Sequence, residues 1–131
     1  MKKTSLLNSH LSQVIASMGH TDMLVISDAG FPAPPGVLRI DLAVTAGLPG
    51  FLEVVQAVAT ELETERLILA SELATLDSPL PAALQACFPT AAVEYLSHDQ
   101  FKIVAARARA IVRTGECTPY ANVILVGGVT Y

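Results

Sequence analysis

The sequence predicts an α/β fold: a layered αβα single domain, residues 1–131, built on a largely parallel or mixed sheet. Three observations carry that expectation. Short apolar runs such as Met23–Ser27, Leu67–Ala70 and Asn122–Val126 have the length and the residue types of buried strands. The stretches between them place apolar residues at helical spacing, so helices and strands alternate. Finally, 131 residues suffice for one domain that buries most of its chain surface. No repeat, low-complexity tract or linker divides them.

Leu7, Leu11, Val14, Ile15 and Met18 define a first helix, with Asn8 able to cap its start and Gly19 its end. Met23–Ser27 follows as a buried strand. Phe31–Gly36 holds three prolines and reads as a rigid loop, because proline has no amide donor and a fixed φ. Val37–Leu42 is a second strand and Thr45–Gly50 a loop. Leu52, Val55, Val58, Ala59 and Leu62 mark a second helix, and Leu67–Ala70 a third strand. Leu80, Ala83, Leu84 and Cys87 mark a helix with Ser78 as cap and Pro79 in its first position. Val93–Leu96 is a short strand. Ser97 and Gln100 have capping-box spacing. The stripe Phe101, Val104, Ala105, Ala108, Ile111 and Val112 then predicts one long helix ending at Gly115. Asn122–Val126 is the last strand, broken by Gly127 and Gly128.

Hydrophobic residues make up 52% of the chain and charged ones only 15%, against about 25% charged in an ordinary soluble domain. No apolar run reaches the ~18 residues that a membrane-spanning helix needs, so a membrane protein is not expected. The sparse charge predicts instead a homo-oligomer whose copies cover much of each other's surface. A net charge of −4 argues against nucleic acid, which selects basic patches. The N-terminal lysines are followed by Asn8, Ser9, His10, Ser12 and Gln13 and not by an apolar run, so a signal peptide is not expected and the location should be cytoplasmic. Cys87 and Cys117 stand in no metal or redox spacing and read as two reduced, partly buried thiols.

The most informative stretch is Gly19-His20-Thr21-Asp22, then the strand, then Asp28-Ala29-Gly30. It brackets one strand with a histidine and a carboxylate. Imidazole titrates nearest neutrality of all side chains, and open α/β sheets place ligands beyond the carboxyl ends of their strands. Alone, His20 is as well read as a surface histidine, Asp28 as a turn residue, and Asp22 as a cap or turn before the strand. Together they suggest proton transfer on a polar substrate near neutral pH. His98 would lie in the first turn after Ser97, where a neutral ring can donate one hydrogen bond to a hydroxyl and accept another; an exposed histidine at a helix start is the equal alternative. In Thr118-Pro119-Tyr120-Ala121-Asn122, Tyr120 can stack on a ring and Asn122 can donate and accept; a core tyrosine and a turn asparagine are the plainer alternative. Lys102 lies one helical turn beyond His98, and Arg107, Arg109 and Arg113 read as solvated or at a subunit contact. His10 reads as non-catalytic. There is no Gly-rich phosphate loop, dinucleotide fingerprint, zinc spacing or nucleophile elbow.

The chain resembles the ribose pyranase and fucose mutarotase family. The resemblance rests on Leu7-Asn8 with Leu11-Ser12, on Gly19-His20-Thr21-Asp22, on Asp28-Ala29-Gly30 and on Arg39-Ile40-Asp41-Leu42. It continues in Ser97-His98 with Phe101-Lys102 and in Arg113-Thr114-Gly115-Glu116 followed by Thr118 to Leu125. These blocks keep the family order across nearly the whole chain. Ser5, where glycine is expected, and Asp99, where glutamate is common, depart from the pattern without touching a candidate catalytic group.

The resemblance implies a cofactor-free enzyme that interconverts cyclic forms of a free sugar, in the ribose branch chiefly the β-pyranose and β-furanose of D-ribose. It implies His20 as the catalytic proton donor and Asp28, His98, Tyr120 and Asn122 as sugar-binding positions, with the backbone at Ala121 contributing. It further implies ring-like homo-oligomers, often decamers, with sites near subunit contacts, and a cytoplasmic role in ribose use. The general base stays open between His98, Asp28 and water. A mutarotase for another sugar such as fucose, or a non-catalytic sugar-binding accessory protein, would use the same positions; a purely structural oligomer would not need them.

Overall fold

The computed structural model describes residues 1–131. The chain runs α1 (Ser9–Ser17), β1 (Met23–Ser27), β2 (Leu38–Asp41), α2 (Phe51–Ala59), β3 (Thr64–Ala70), α3 (Ser71–Thr75), α4 (Leu80–Cys87), β4 (Ala92–Leu96), α5 (His98–Ala105), β5 (Ala110–Arg113) and β6 (Val123–Gly127). The strands form one sheet in the order β2-β5-β1-β6-β3-β4. β1 and β2 pair parallel with β5, and β3 parallel with β4. β6 runs antiparallel to both of its neighbours, β1 and β3. Five strands therefore point one way and β6 alone points back, which is the mixed sheet the sequence leads one to expect.

Both faces of this sheet are buried, and the strands show why. Leu24, Ile26, Leu67, Leu69, Val112, Val123 and Leu125 face a large core with Leu11 and Val14 of α1, Phe51, Val55 and Val58 of α2, Leu73 of α3 and Leu84 of α4. The residues between them, Val25, Ile68, Ile111, Ile124 and Val126, face a smaller core with Phe31 and with Phe101 and Ala105 of α5. Alternation with period two thus feeds two cores, which is why each strand reads as a continuous apolar run. Full burial of a side chain such as Phe101 stabilises by roughly 1.5–3 kcal/mol.

At the helix starts Asn8 and Ser97 cap as expected, while the expected Ser78 cap is displaced by one residue. Asn8 Oδ1 accepts the Leu11 N–H at 2.9 Å, and Ser97 Oγ accepts that of Gln100 at 3.3 Å. Ser78 Oγ accepts the Leu80 N–H at 3.2 Å, with Pro79 at the cap position and not the first helical one. Three further expectations are corrected. The long helix after Ser97 stops at Ala105, and Ala110–Arg113 is β5, paired on both sides between β2 and β1. Ala108, Ile111 and Val112 continue the helical stripe by coincidence; β-branched Ile111 and Val112 are favoured in a strand, and the pairing partners on β1 and β2 decide. The last strand begins at Val123, leaving Asn122 just before it, and includes Gly127. Cys117 is exposed, whereas Cys87 is partly buried and burial pushes its thiol pKa up. No helix is long and apolar enough to cross a membrane.

Candidate active site

The strand directions sort every candidate residue to one of two edges. The carboxyl ends of β1, β3, β4 and β5 and the start of β6 share one edge, which brings together Asp28, His98, Tyr120, Ala121 and Asn122. His20 precedes β1 and so lies at the other edge, beside the start of β3 and the end of β6. Five strand residues at ~3.3 Å each separate the two groups by roughly 16 Å. The histidine and the carboxylate that bracket β1 in sequence therefore cannot meet within one chain.

At the carboxyl edge, Asn122 is fully buried and paired with Asp28 in both directions. Its Nδ2 donates to Asp28 Oδ2 at 3.0 Å, and the Asp28 N–H donates to Asn122 Oδ1 at 2.9 Å. The other carboxylate oxygen, Oδ1, accepts the Gly30 N–H at 2.9 Å, the expected aspartate turn. Ala121 is buried, and Tyr120 holds a positive φ of 59°. That left-handed conformation costs a non-glycine residue on the order of 1–2 kcal/mol, and it turns the chain so that Tyr120 faces His98, ring centroids 5.2 Å apart and nearly perpendicular. His98 also stands edge-on to Phe31 at 6.2 Å and stacks with Phe101 at 6.3 Å. Its Nδ1 is buried without a hydrogen-bond partner.

Residues to which the sequence assigns no site role complete this edge. Glu72, in the unexpected short helix α3, accepts the His98 N–H with both carboxylate oxygens, at 3.1 and 3.0 Å. Its own N–H and that of His98 hold its carboxyl pKa below the usual value of 4.5. Glu116 ties down the loop that carries Tyr120: Oε1 accepts from Cys117 N, Thr118 N and Thr118 Oγ1, and Oε2 from the Phe51 N–H at the start of α2. Burial pushes this carboxyl up, but those hydrogen bonds outweigh it and hold the pKa low. Arg113, read as solvated or at a subunit contact, donates to Ala29 O at 2.9 Å and to Asp41 at 3.0 Å, and so braces the Asp28 turn. Lys102 pairs with Asp99 at 3.6 Å. Glu72 was accessible in principle, since it follows an apolar strand just as Asp28 does; nothing in the spacing of Glu116 marks it.

At the amino edge, His20 is half exposed and its Nε2 lies 2.9 Å from Glu65 Oε2. Two backbone bonds fix its loop: Thr21 N–H to Gly127 O at 2.9 Å and Gly127 N–H to Asp22 O at 2.8 Å. The Asp22 side chain accepts the Gly19 N–H, as its turn reading suggests. His20 lines a cleft of about 320 Å³ with Glu63, Gly128 and Tyr131, and Asp28 lines another of about 330 Å³ with Gly30, Glu116 and Thr118. Each is at the small end for a ligand pocket. His20 at one cleft is paired with Glu65, an arrangement suited to moving a proton, and the other cleft carries carboxylate and hydroxyl groups suited to holding a sugar's hydroxyls.

Known proteins match this chain from end to end. It is 53% identical to a D-ribose pyranase of Pseudomonas putida (strain GB-1) over 132 residues and 52% identical to one of Paracidovorax citrulli (strain AAC00-1) over 131, each alignment covering all of both chains. The structure of Bacillus subtilis RbsD complexed with D-ribose superposes with a TM-score of 0.95 at 46% identity, again over all of both chains. The fucose mutarotase of Streptococcus pneumoniae, 23% identical with a TM-score of 0.75, shares the fold. The model of the RbsD / FucU transport protein family matches residues 1–130, and the chain belongs to that family.

Proposed function

We propose that this chain is an isomerase that interconverts the β-pyranose and β-furanose forms of D-ribose, supplying the furanose for ribose catabolism in the cytoplasm. The relatives named D-ribose pyranase, about half identical over the full length, support the activity and the sugar. The observation that carries the mechanism is the separation of His20 from the Asp28–Asn122 pair at opposite ends of β1. Two copies of the chain, amino edge against carboxyl edge, bring both halves together, and repetition of such a head-to-tail contact closes a ring. Leu38, Val44, Leu48 and Ile103, each more than half exposed, are apolar surface that such contacts can cover.

In this reading Asp28, His98, Tyr120 and Asn122, with the backbone at Ala121, hold the sugar hydroxyls, and His20 of the neighbouring copy supplies the proton. The anomeric hydroxyl loses its proton as the ring oxygen gains one, and the C1–O5 bond breaks to leave an open aldehyde. The 4-hydroxyl then adds to C1 while the same two protons return in the reverse sense. No net proton, electron or co-reactant is consumed. Glu65, hydrogen-bonded to His20 at 2.9 Å, orients its ring. Acid–base catalysis of this kind typically supplies ~10²- to 10⁴-fold, which suits a reaction that already proceeds slowly in water.

Saturation-transfer NMR on D-ribose tests the proposal. Added exchange between pyranose and furanose signals, absent with His20→Ala, is the expected result. Binding of D-ribose without added exchange would turn the protein into a sugar-binding accessory.

A further inference from the structure

We infer that Glu72 is a positioning residue for His98: it clamps the first residue of α5 so that the imidazole keeps one orientation toward the sugar. The inference rests on the ribose site proposed above and deepens it.

The parallel register of β3 and β4 creates the contact. Ala70 pairs with Leu96, so the two strands end side by side, and both chains turn into helices just beyond that pair. Glu72 and His98 each lie two residues past it and are therefore neighbours. His98 opens α5, where the first four N–H groups have no partner inside the helix. Ser97 Oγ takes the Gln100 N–H, and Glu72 takes that of His98 with both oxygens. A carboxylate there also meets the positive end of the helix dipole. Ser71 Oγ lies 3.5 Å from Glu72 Oε2, and Thr75 Oγ1 donates to Glu72 O at 2.7 Å, so α3 itself is braced.

The ring of His98 needs such an anchor. Its Nδ1 makes no hydrogen bond, and the contacts around it are Phe31, Phe101 and Tyr120, which constrain it by shape alone. Helix termini fray, and a frayed first turn would swing the imidazole out of that aromatic frame. The polar partner of the His98 backbone N–H is Glu72, a residue contributed by a different strand–helix junction.

The test uses Glu72→Ala, Glu72→Asp and Glu72→Gln in the full chain, read by ribose exchange kinetics, by the His98 imidazole NMR signals without sugar, and by Tm. Glu72→Ala should raise KM for D-ribose on the order of tenfold with kcat changed much less, the signature of lost binding geometry. Glu72→Gln keeps an acceptor oxygen and should recover most of the loss. Glu72→Asp, which withdraws the carboxylate by one methylene, should behave like Glu72→Ala and serves if that variant does not fold. The His98 ring signals should shift and broaden in Glu72→Ala and Glu72→Asp, and in a His98→Ala background Glu72→Asp should leave KM unchanged. A lower Tm with unmoved His98 signals and unmoved KM would make Glu72 a mere helix cap and overturn the inference. If the unmodified protein neither binds nor exchanges D-ribose, the functional reading fails instead, while the His98 signals still report on Glu72.

Discussion

Asn122 and Asp28 hold each other by two hydrogen bonds of opposite sense, amide to carboxylate at 3.0 Å and backbone N–H to amide oxygen at 2.9 Å. The pair joins the end of β1 to the start of β6, neighbours in the sheet that are 94 residues apart in sequence. Asn122 is fully buried, so its polar atoms depend on Asp28 for satisfaction. The same bonds fix which way the carboxylate faces and leave it poised at the cleft with Gly30 and Glu116.

Replacing Asn122 by alanine removes both bonds and strands the partly buried Asp28 N–H. Destabilisation of about 1–3 kcal/mol is expected, together with weaker ribose binding, checked by urea denaturation and by titration with D-ribose. Unchanged stability would mean that the pair is not a structural link.

Gly115 is where the loop carrying the site crosses another loop. A Cβ there would lie 2.5 Å from Thr45 O and Leu48 O and 2.6 Å from Leu48 N. These are backbone atoms and cannot step aside. Gly115→Ala should cost about 1–3 kcal/mol or more and displace Tyr120, read as a lower Tm and a raised KM.

Glu116 links stability to pH. Its pKa in the folded chain is held below 4.5, so its carboxylate stabilises the fold fully above the unfolded value and loses that contribution as pH falls through the folded value. Unfolding measured from pH 6 down to pH 3 should show stability falling at the acid end. Glu116→Gln should be less stable at pH 6 and should fall less steeply.

Glu65→Gln separates chemistry from stability. An exposed pair such as His20–Glu65 is worth ~0–1 kcal/mol to the fold, so Tm should barely move. The exchange rate should drop on the order of tenfold, because an amide is a weaker hydrogen-bond acceptor than a carboxylate and orients the imidazole less firmly. A full rate would remove Glu65 from the proton transfer.

Much of this was legible in the sequence. Met23–Ser27, the Asn8 and Ser97 caps and the pairing of two-faced burial with continuous apolar runs follow from local physics. β5 did not, because Phe101 to Val112 satisfies helical spacing as well as strand propensity, and only pairing with β1 and β2 separates the two. Of the candidate site residues, Asp28, His98, Tyr120, Ala121 and Asn122 lie at one edge. His20 lies at the other, and the five-residue strand between it and Asp28 already implied that distance. Glu65 was hidden because its partner lies 45 residues away, and Glu72, though placed just past an apolar strand, gave no sign of a partner 26 residues away; Glu116 has near partners in Cys117 and Thr118 and a distant one, 65 residues away, in Phe51. A single acidic residue carries no trace of such a partner.

The most direct test of a catalytic histidine acting across two copies is mixing. His20→Ala and Asp28→Asn variants each damage one half of every site. Pyranose–furanose exchange, measured by saturation transfer on D-ribose, should be near the uncatalysed rate for either alone. Co-assembled at equal amounts, they should regain activity, because roughly one contact in four then joins an intact His20 to an intact Asp28. No recovery from mixed oligomers that are demonstrably assembled would contradict the account.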